Sequence, residues 1–373
     1  MLTVLNVIGT RPEAIKMAPV VAEMDRHREQ VRSVVCVTGQ HREMLDQALA
    51  VFGLRPDYDL DMMRPDQSLT QLTARLLDAL DGVIRQVKPD WILAQGDTTS
   101  AMVTSLVAFY HRIPFGHVEA GLRTTDPCRP FPEEINRRLA DTMATLLFAP
   151  TERARQTLLR EGRREADILL TGNTVIDALQ QIIIQDYDWV NGPLSGVPCD
   201  RRLVLVTMHR RESFGPPLRE MCNALIQIAN SLGPEGVHLV CPVHPNPKVR
   251  GPVMELLGGI ANISLLDPLE YSSLIRVMRH STLVLTDSGG IQEEAPSFSV
   301  PLLVMRDETE RLEGVEAGIA RLVGTKADSI AGEAIRLLRN PVEYAQMTTT
   351  QNPYGDGRAA ERIVAALLAR NIR

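Results

Sequence analysis

Apolar residues along this chain fall in short unbroken runs that alternate with stretches of helical period. Leu2-Thr3-Val4-Leu5-Asn6-Val7-Ile8 opens as a strand-like run, and the segment 12–26 that follows repeats apolar positions three and four residues apart, as a helix with one buried face does. The same pattern predicts strands over 33–38, 91–95, 115–118 and 146–149, and helices over 41–52, 68–87, 99–111 and 133–144. The rhythm restarts with strands at 168–171, 203–207, 237–241, 263–266, 282–286 and 301–305, and helices at 217–232, 248–257, 272–280, 291–297, 327–339 and 359–370. Runs that are continuously apolar, not alternating, belong to strands covered on both faces, so the pattern predicts doubly wound parallel sheets of α/β class.

At 373 residues the chain exceeds the size at which one hydrophobic core keeps growing. Asn191-Gly192-Pro193-Leu194-Ser195-Gly196-Val197-Pro198 has no periodicity and reads as a loop between halves. Two Rossmann-type domains are expected, 1–170 and 171–358, with the helix at about 359–373 packing back on the first.

Parallel sheets bind ligands outside the carboxyl ends of their strands. Those ends read Gly9-Thr10-Arg11-Pro12-Glu13, Thr38-Gly39-Gln40-His41, Gly96-Asp97-Thr98-Thr99 and His117-Val118-Glu119-Ala120-Gly121 in the first half. In the second they read Thr207-Met208-His209-Arg210-Arg211, Pro242-Val243-His244, Thr286-Asp287-Ser288-Gly289-Gly290 and Arg306-Asp307-Glu308. A purely structural fold has no need for glycine beside a titratable residue at nearly every strand end.

Composition removes several partners. Lys and Arg total 40 against 46 Asp and Glu, and a net charge of −6 advertises neither nucleic acid nor an anionic membrane. No apolar run approaches the roughly 18 residues of a membrane span. The first residues lack a basic region and a small-residue cleavage site, so a mature strand is expected there and not a leader. Cys36, Cys128, Cys199, Cys222 and Cys241 never form C-x-x-C, which fits free thiols in a reduced, cytoplasmic setting.

Thr286-Asp287-Ser288-Gly289-Gly290-Ile291-Gln292-Glu293-Glu294 runs from strand through two glycines into a helix, where backbone N–H groups could approach a diphosphate and Glu294 could accept from ribose. A plain glycine turn with a serine cap is the alternative. Arg11 and Lys16 lie near the start of a helix, where cations oppose the dipole, so an anionic ligand is expected beside them. Asp97, Glu119 and the adjacent Glu133 and Glu134 come from three separate loops on one sheet edge, as proton transfer at a weakly acidic carbon requires, although Asp97 alone could cap the 99–111 helix. His209 follows a strand end and could help hold or protonate a leaving phosphate. Neither H-E-x-x-H nor C-x-x-C spacing occurs and no G-x-G-x-x-G follows the first strand, so no metal and no nicotinamide cofactor is expected.

Taken in order, GTRPEAIKMAP, TGQHREMLDQ, GDTTS, GHVEAGLRT, FPEEINR, TGNTVIDAL, HRRESFG, TDSGGIQEEAPS, ETERLEGVEAG and NPYGDGRAAERI resemble the bacterial non-hydrolysing UDP-N-acetylglucosamine 2-epimerases. The resemblance runs collinearly over nearly the whole chain. It implies a GT-B-like pair of Rossmann-type domains facing across a cleft, a homodimer, a UDP-sugar substrate and no cofactor. It implies catalytic roles for Asp97, Glu119, Glu133 and His209, and substrate contacts from Arg11, Lys16, Leu274, Ser288, Gly289, Gly290, Glu294 and Arg311. Gln40, Arg210 and His244 fit a second, allosteric nucleotide-sugar site, of which the position of Glu43 would also be part. Glu43 and Asp66 stand where some activated members carry Gln and Arg, which leaves that regulation open here. Leu312 replaces the usual Pro, Met208 a smaller residue, and Ser299-Val300 the usual Gly-Lys or Gly-Val.

The implied chemistry is an elimination. The C2 proton is not α to a carbonyl, so direct removal would leave a poorly stabilised carbanion. Expelling UDP as that proton leaves gives a neutral 2-acetamidoglucal, to which UDP is added back with protonation from the opposite face. A glycosyltransferase shares the two-domain plan, a hydrolysing relative would release free sugar, and a nucleotide-sugar sensor would have no use for the carboxylate set.

Overall fold

The computed structural model describes residues 1–39, 42–64, 66–349 and 351–370, with backbone only at 42–44. Two compact units divide the chain, Met1–Gln181 with Tyr354–Arg373, and Ile182–Pro353.

The first unit carries a seven-stranded sheet of β1 (Leu2–Ile8), β2 (Val31–Val37), β3 (Tyr58–Asp59), β4 (Trp91–Gln95), β5 (Phe115–Val118), β6 (Leu146–Ala149) and β7 (Ile168–Leu170). Its order is β3-β2-β1-β4-β5-β6-β7 and every pairing is parallel. The second unit has six strands, namely β8 (Arg202–Thr207), β9 (Val237–Pro242), β10 (Ile263–Leu266), β11 (Ser281–Thr286), β12 (Leu302–Val304) and β13 (Ala320–Leu322). It runs β10-β9-β8-β11-β12-β13, again all parallel. Both orders reverse direction beside their first strand, β1 against β4 and β8 against β11. Crevices for ligands open at such switch points.

Helices cover the faces: α1 (Arg11–Arg26), α2 (Arg42–Val51), α3 (Leu69–Val87), α4 (Thr99–Tyr110), α5 (Glu133–Met143), α6 (Glu152–Arg160) and α7 (Thr174–Ile183). They continue with α8 (Pro216–Leu232), α9 (Pro247–Leu257), α10 (Tyr271–His280), α11 (Gly289–Glu294), α12 (Leu312–Glu316), α13 (Ala327–Arg339), α14 (Pro341–Thr348) and α15 (Ala359–Ala369). Helix α3 shows how the sequence sets one. Ser68 and Gln71 close a capping box at its start, Leu72, Leu76, Leu80, Val83 and Ile84 are buried on one face, and Lys88 ends it in the left-handed region. Each such buried side chain contributes about 1.5–3 kcal/mol. No helix among the described residues is long and apolar enough to cross a membrane.

Several elements differ from the sequence pattern. The strand with which the rhythm restarts edges the first sheet as β7, pairing with β6. The helix expected over 291–297 stops at Glu294 and tightens into a 3₁₀ turn, Ala295–Phe298, because Pro296 cannot continue an α-helical ladder. Strands β3 and β13, of two and three residues, and helices α6, α7, α12 and α14 were not predicted. The two strands are too short to carry periodicity, which is the signal the sequence offers. The return of the chain to the first unit is fixed at Asp177 on α7, whose carboxylate accepts from the backbone N–H groups of Ala359 and Ala360 and so caps α15.

Candidate active site

In the first unit the carboxylates gather at the carboxyl ends of β1, β4 and β5. Glu119 lies one residue beyond β5 at φ 66°, a left-handed conformation that costs a glutamate energy. Its buried Oε2 accepts from Lys16 Nζ at 2.5 Å and Gln95 Nε2 at 2.8 Å. Lys16, expected beside an anionic ligand, therefore meets a carboxylate of its own chain, and that partner offsets its unfavourable place near a helix start. Arg11, the first residue of α1, has no hydrogen-bond or ion-pair partner among the described residues.

Asp97 does not cap the following helix. Thr98 is the cap, its hydroxyl accepting from the Ala101 N–H at 3.2 Å. The Asp97 carboxylate instead pairs with the buried Arg137 guanidinium, and its backbone carbonyl accepts from Asn136 Nδ2. Glu133 begins α5 and has no side-chain partner among the described residues. Neighbouring Glu134 is fully buried and accepts from the Thr124 N–H and Arg138 Nε, a structural role that separates it from the other three.

In the second unit the loops after β8 and β11 are joined through Asp287. Its buried carboxylate accepts the N–H groups of His209 and Arg210 and stands 3.1 Å from His209 Nδ1. Although burial opposes it, these donors and the imidazole hold the carboxyl below the usual aspartate range. The contact fixes one ring nitrogen of His209, whose side chain is 41% exposed. His244 stacks on that ring with centroids 5.8 Å apart, and burial followed by repulsion from His209 lowers its pKa. Arg210 binds Glu310 Oε1 at 2.8 Å and Arg306 binds Glu310 Oε2 at 2.9 Å, so the three arginines 210, 306 and 311 keep Glu310 well below the ordinary range despite its burial.

Ser288 precedes α11 without capping it by its side chain, so the serine-cap alternative fails. A Cβ on Gly290 would meet only Ser288 Oγ, at 3.9 Å, leaving open space over that backbone. Glu294 is buried and accepts from Tyr271 OH at 3.2 Å, Leu274 lies half-buried on α10, and Arg311 Nε donates to Glu293 at 2.6 Å. Gln40 and the Glu43 side chain lie outside the described residues; Asp66 is exposed in a left-handed turn at φ 53°.

Sequence reasoning missed three groups that shape these loops. Arg137 lies four residues after Glu133 on α5, a spacing that puts both on one helix face, and its Nε and Nη1 make no hydrogen bond. Asp287, between Thr286 and Ser288, carries no local signal that it would hold two loops together. Glu13 is buried, accepts from the Gly9 N–H at 2.9 Å and the Thr98 hydroxyl at 2.7 Å, and ties the loop after β1 to that after β4. Burial pushes its carboxyl up to about 7 against those donors.

Comparison with known proteins places nearly the whole chain beside one family. Residues 22–368 match the family model described as UDP-N-acetylglucosamine 2-epimerase. A protein of that name from Escherichia coli O157:H7 is 51% identical over 370 residues, covering 98% of each chain. Among solved structures, the UDP-GlcNAc 2-epimerase of Neisseria meningitidis bound to UDP-GlcNAc superposes with TM-score 0.91 at 43% identity, covering 99% of this chain and 100% of that one. The Methanocaldococcus jannaschii UDP-GlcNAc 2-epimerase in complex with UDP-GlcNAc and UDP gives 0.82 at 31%, covering 99% and 100%.

Proposed function

The chain belongs to the UDP-N-acetylglucosamine 2-epimerase family, and on that premise we propose that it interconverts UDP-N-acetylglucosamine and UDP-N-acetylmannosamine by eliminating UDP and adding it back. It is an isomerase without net redox change. In the forward step the C2–H bond breaks to an enzyme base, the C1–O bond to UDP breaks, and the electron pair released at C2 forms the C1=C2 bond of 2-acetamidoglucal. In the return step a proton reaches C2 from the opposite face as UDP oxygen rebinds C1.

The observation that carries the reading is Glu119, held in a left-handed turn after β5 and buried against Lys16 from the helix that follows β1. The carboxylate balances buried Lys16, yet it does so from a backbone conformation that is costly for a glutamate, and that strain supports a functional reading. Asp97, Glu119 and Glu133 are read as the proton-transfer set, with Arg137 holding Asp97 and Arg11 and Lys16 serving the nucleotide sugar. His209, fixed through Asp287, assists the departing UDP. Ser288, Gly289 and Gly290 seat the diphosphate, Glu294 and Leu274 the nucleoside, and Arg311 a further substrate contact. Arg210 and His244, with Gln40 and Glu43, belong to the regulatory reading.

The same reading makes the chain a cytoplasmic homodimer supplying activated N-acetylmannosamine to polysaccharide synthesis. Phe109 and Tyr110 on α4 and Ile135 and Leu139 on α5 are exposed apolar residues that a second copy could cover. Proton NMR of UDP-N-acetylglucosamine turning over in deuterated water tests the chemistry. Deuterium at C2 of the product is expected; full retention of the original hydrogen would rule the elimination out.

A further inference from the structure

His117 on β5 is wholly buried, with Nδ1 2.6 Å from Asp141 Oδ1 on α5 and Nε2 2.7 Å from the Gly96 carbonyl after β4. Both neighbours accept. A neutral imidazole donates from one nitrogen only, so two short contacts of this kind require a proton on each, and the ring is an imidazolium. Its pKa is raised: burial alone would lower it, and Asp141 and the Gly96 carbonyl outweigh that.

Asp141 does more than balance the charge. Its Oδ2 accepts from the Gly121 N–H at 3.2 Å and lies 2.7 Å from Arg123 Nη1, and Arg123 continues to Glu161. Gly96 directly precedes Asp97, and Gly121 follows Glu119 by two residues. Both glycines have positive φ, 78° and 89°, as Glu119 has. One buried pair thus grips the backbone on either side of two loops whose conformations are otherwise unfavourable or loose. Further ties are the Gly96 N–H to the Val118 carbonyl, the Ala120 N–H to the Phe148 carbonyl, and the Asn136 amide to the Asp97 carbonyl.

We infer that His117 and Asp141 are positioning residues, a buried imidazolium–carboxylate pair that sets the Asp97 loop against the Glu119 loop. The inference rests on the reading above that these two carboxylates serve proton transfer at C2. Misplacing a reacting group by about 1 Å can cost on the order of 100-fold in rate. Among the described residues, the charged groups facing the ring are Asp141 from α5 and Arg123 from the loop after β5; the loop after β4 presents the Gly96 carbonyl and β5 the Phe115 ring.

The test compares the full chain with His117→Gln and Asp141→Asn, measuring kcat and KM for UDP-N-acetylglucosamine from about pH 6 to 9.5 and UDP affinity by calorimetry. Glutamine can donate to one partner but carries no charge. The expected result is a kcat roughly 10–100-fold lower near neutral pH, with KM and UDP affinity within about threefold of the parent. The ratio of parent to His117→Gln kcat should shrink as pH rises, because only the parent has an imidazolium to lose. Glu161→Gln, at the exposed end of the chain of charges, should stay within about twofold. Folded variants with parental kcat, a ratio constant across pH, or loss of cooperative folding in both variants would each overturn the inference and assign the pair to the fold. Absence of turnover in the parent would remove the functional reading instead.

Discussion

Lys16 Nζ and Glu119 Oε2 lie 2.5 Å apart in an ion pair both of whose side chains are about nine-tenths buried. Removing one member of such a pair leaves the other charged in a poor solvent, which costs about 3–5 kcal/mol, while removing both is far milder. Lys16→Met should therefore destabilise the first unit by that amount, and Lys16→Met with Glu119→Gln should cost clearly less than the sum of the two. Denaturant titration of the four proteins as a double-mutant cycle reads the coupling directly. Additive costs would show that the pair is not coupled, and that Lys16 is available to an anionic ligand.

Asp97 separates chemistry from capping more cleanly than the sequence allowed. Because Thr98 makes the cap, Thr98→Ala should cost about 1 kcal/mol of stability. Asp97→Asn keeps the shape and loses the charge that pairs with Arg137. Its turnover should drop about 10²–10⁴-fold with UDP affinity retained. A folded Asp97→Asn enzyme with near-parental kcat would return that residue to a structural role.

Much of this architecture was legible because buried parallel strands announce themselves as unbroken apolar runs; β4, β5, β6 and β10 were placed to the residue. What stayed hidden has physical causes. Strands β3 and β13 are held by pairing to a neighbour, which no local pattern encodes. The strand at Ile168–Leu170 had the right pattern but no sign of which sheet it would join. Within the site, residue types at strand ends were readable, whereas partnerships were not. Lys16 with Glu119 spans 103 positions and Arg210 with Glu310 spans 100. Such pairs arise only when the sheet brings its loops together, which is why Asp287 and Glu13 were passed over.

Ser299 ends the 3₁₀ turn before β12 at φ 54°, a backbone conformation that favours glycine. A left-handed serine is strained by about 1 kcal/mol, and it is exposed, so no packing compensates. Ser299→Gly should stabilise the second unit by roughly 0.5–1 kcal/mol, a rise of about 2–4 °C in its midpoint. Calorimetry that found no rise, or a fall, would show that the hydroxyl contributes more than the strain costs.

Asp177 gives stability a specific pH dependence. Burial raises its carboxyl from 3.8 to about 6, against the backbone donors Ala359 and Ala360. A group whose folded pKa is raised contributes stability that is full below the unfolded value and lost as pH climbs through the folded one. Between about pH 4 and 6 this single group should cost the folded first unit up to about 3 kcal/mol as it ionises. Denaturant midpoints for Asp177→Asn over that range should lack this slope. Parallel pH profiles for parent and variant would mean that the carboxylate is solvated enough to titrate normally.

The two adjacent glycines at the start of α11 make opposite predictions although they share one turn. A side chain at Gly289 would press on Glu310 Oε1 at 3.0 Å and Arg210 Nη2 at 3.2 Å, so Gly289→Ala must push apart a charged pair that holds the neighbouring loop. At Gly290 the added carbon finds only Ser288 Oγ at 3.9 Å, and the residue is exposed. Gly290→Val should carry no helix penalty, since valine is the better helix former of the two. If backbone N–H groups there receive the diphosphate, however, the isopropyl group fills the space the phosphate oxygens need. Calorimetry with UDP should show affinity reduced at least tenfold in Gly290→Val, with a thermal midpoint within about 2 °C of the parent. Undiminished UDP binding by a folded Gly290→Val would mean that the diphosphate sits elsewhere, and with it the assignment of Ser288 and Glu294 would fall.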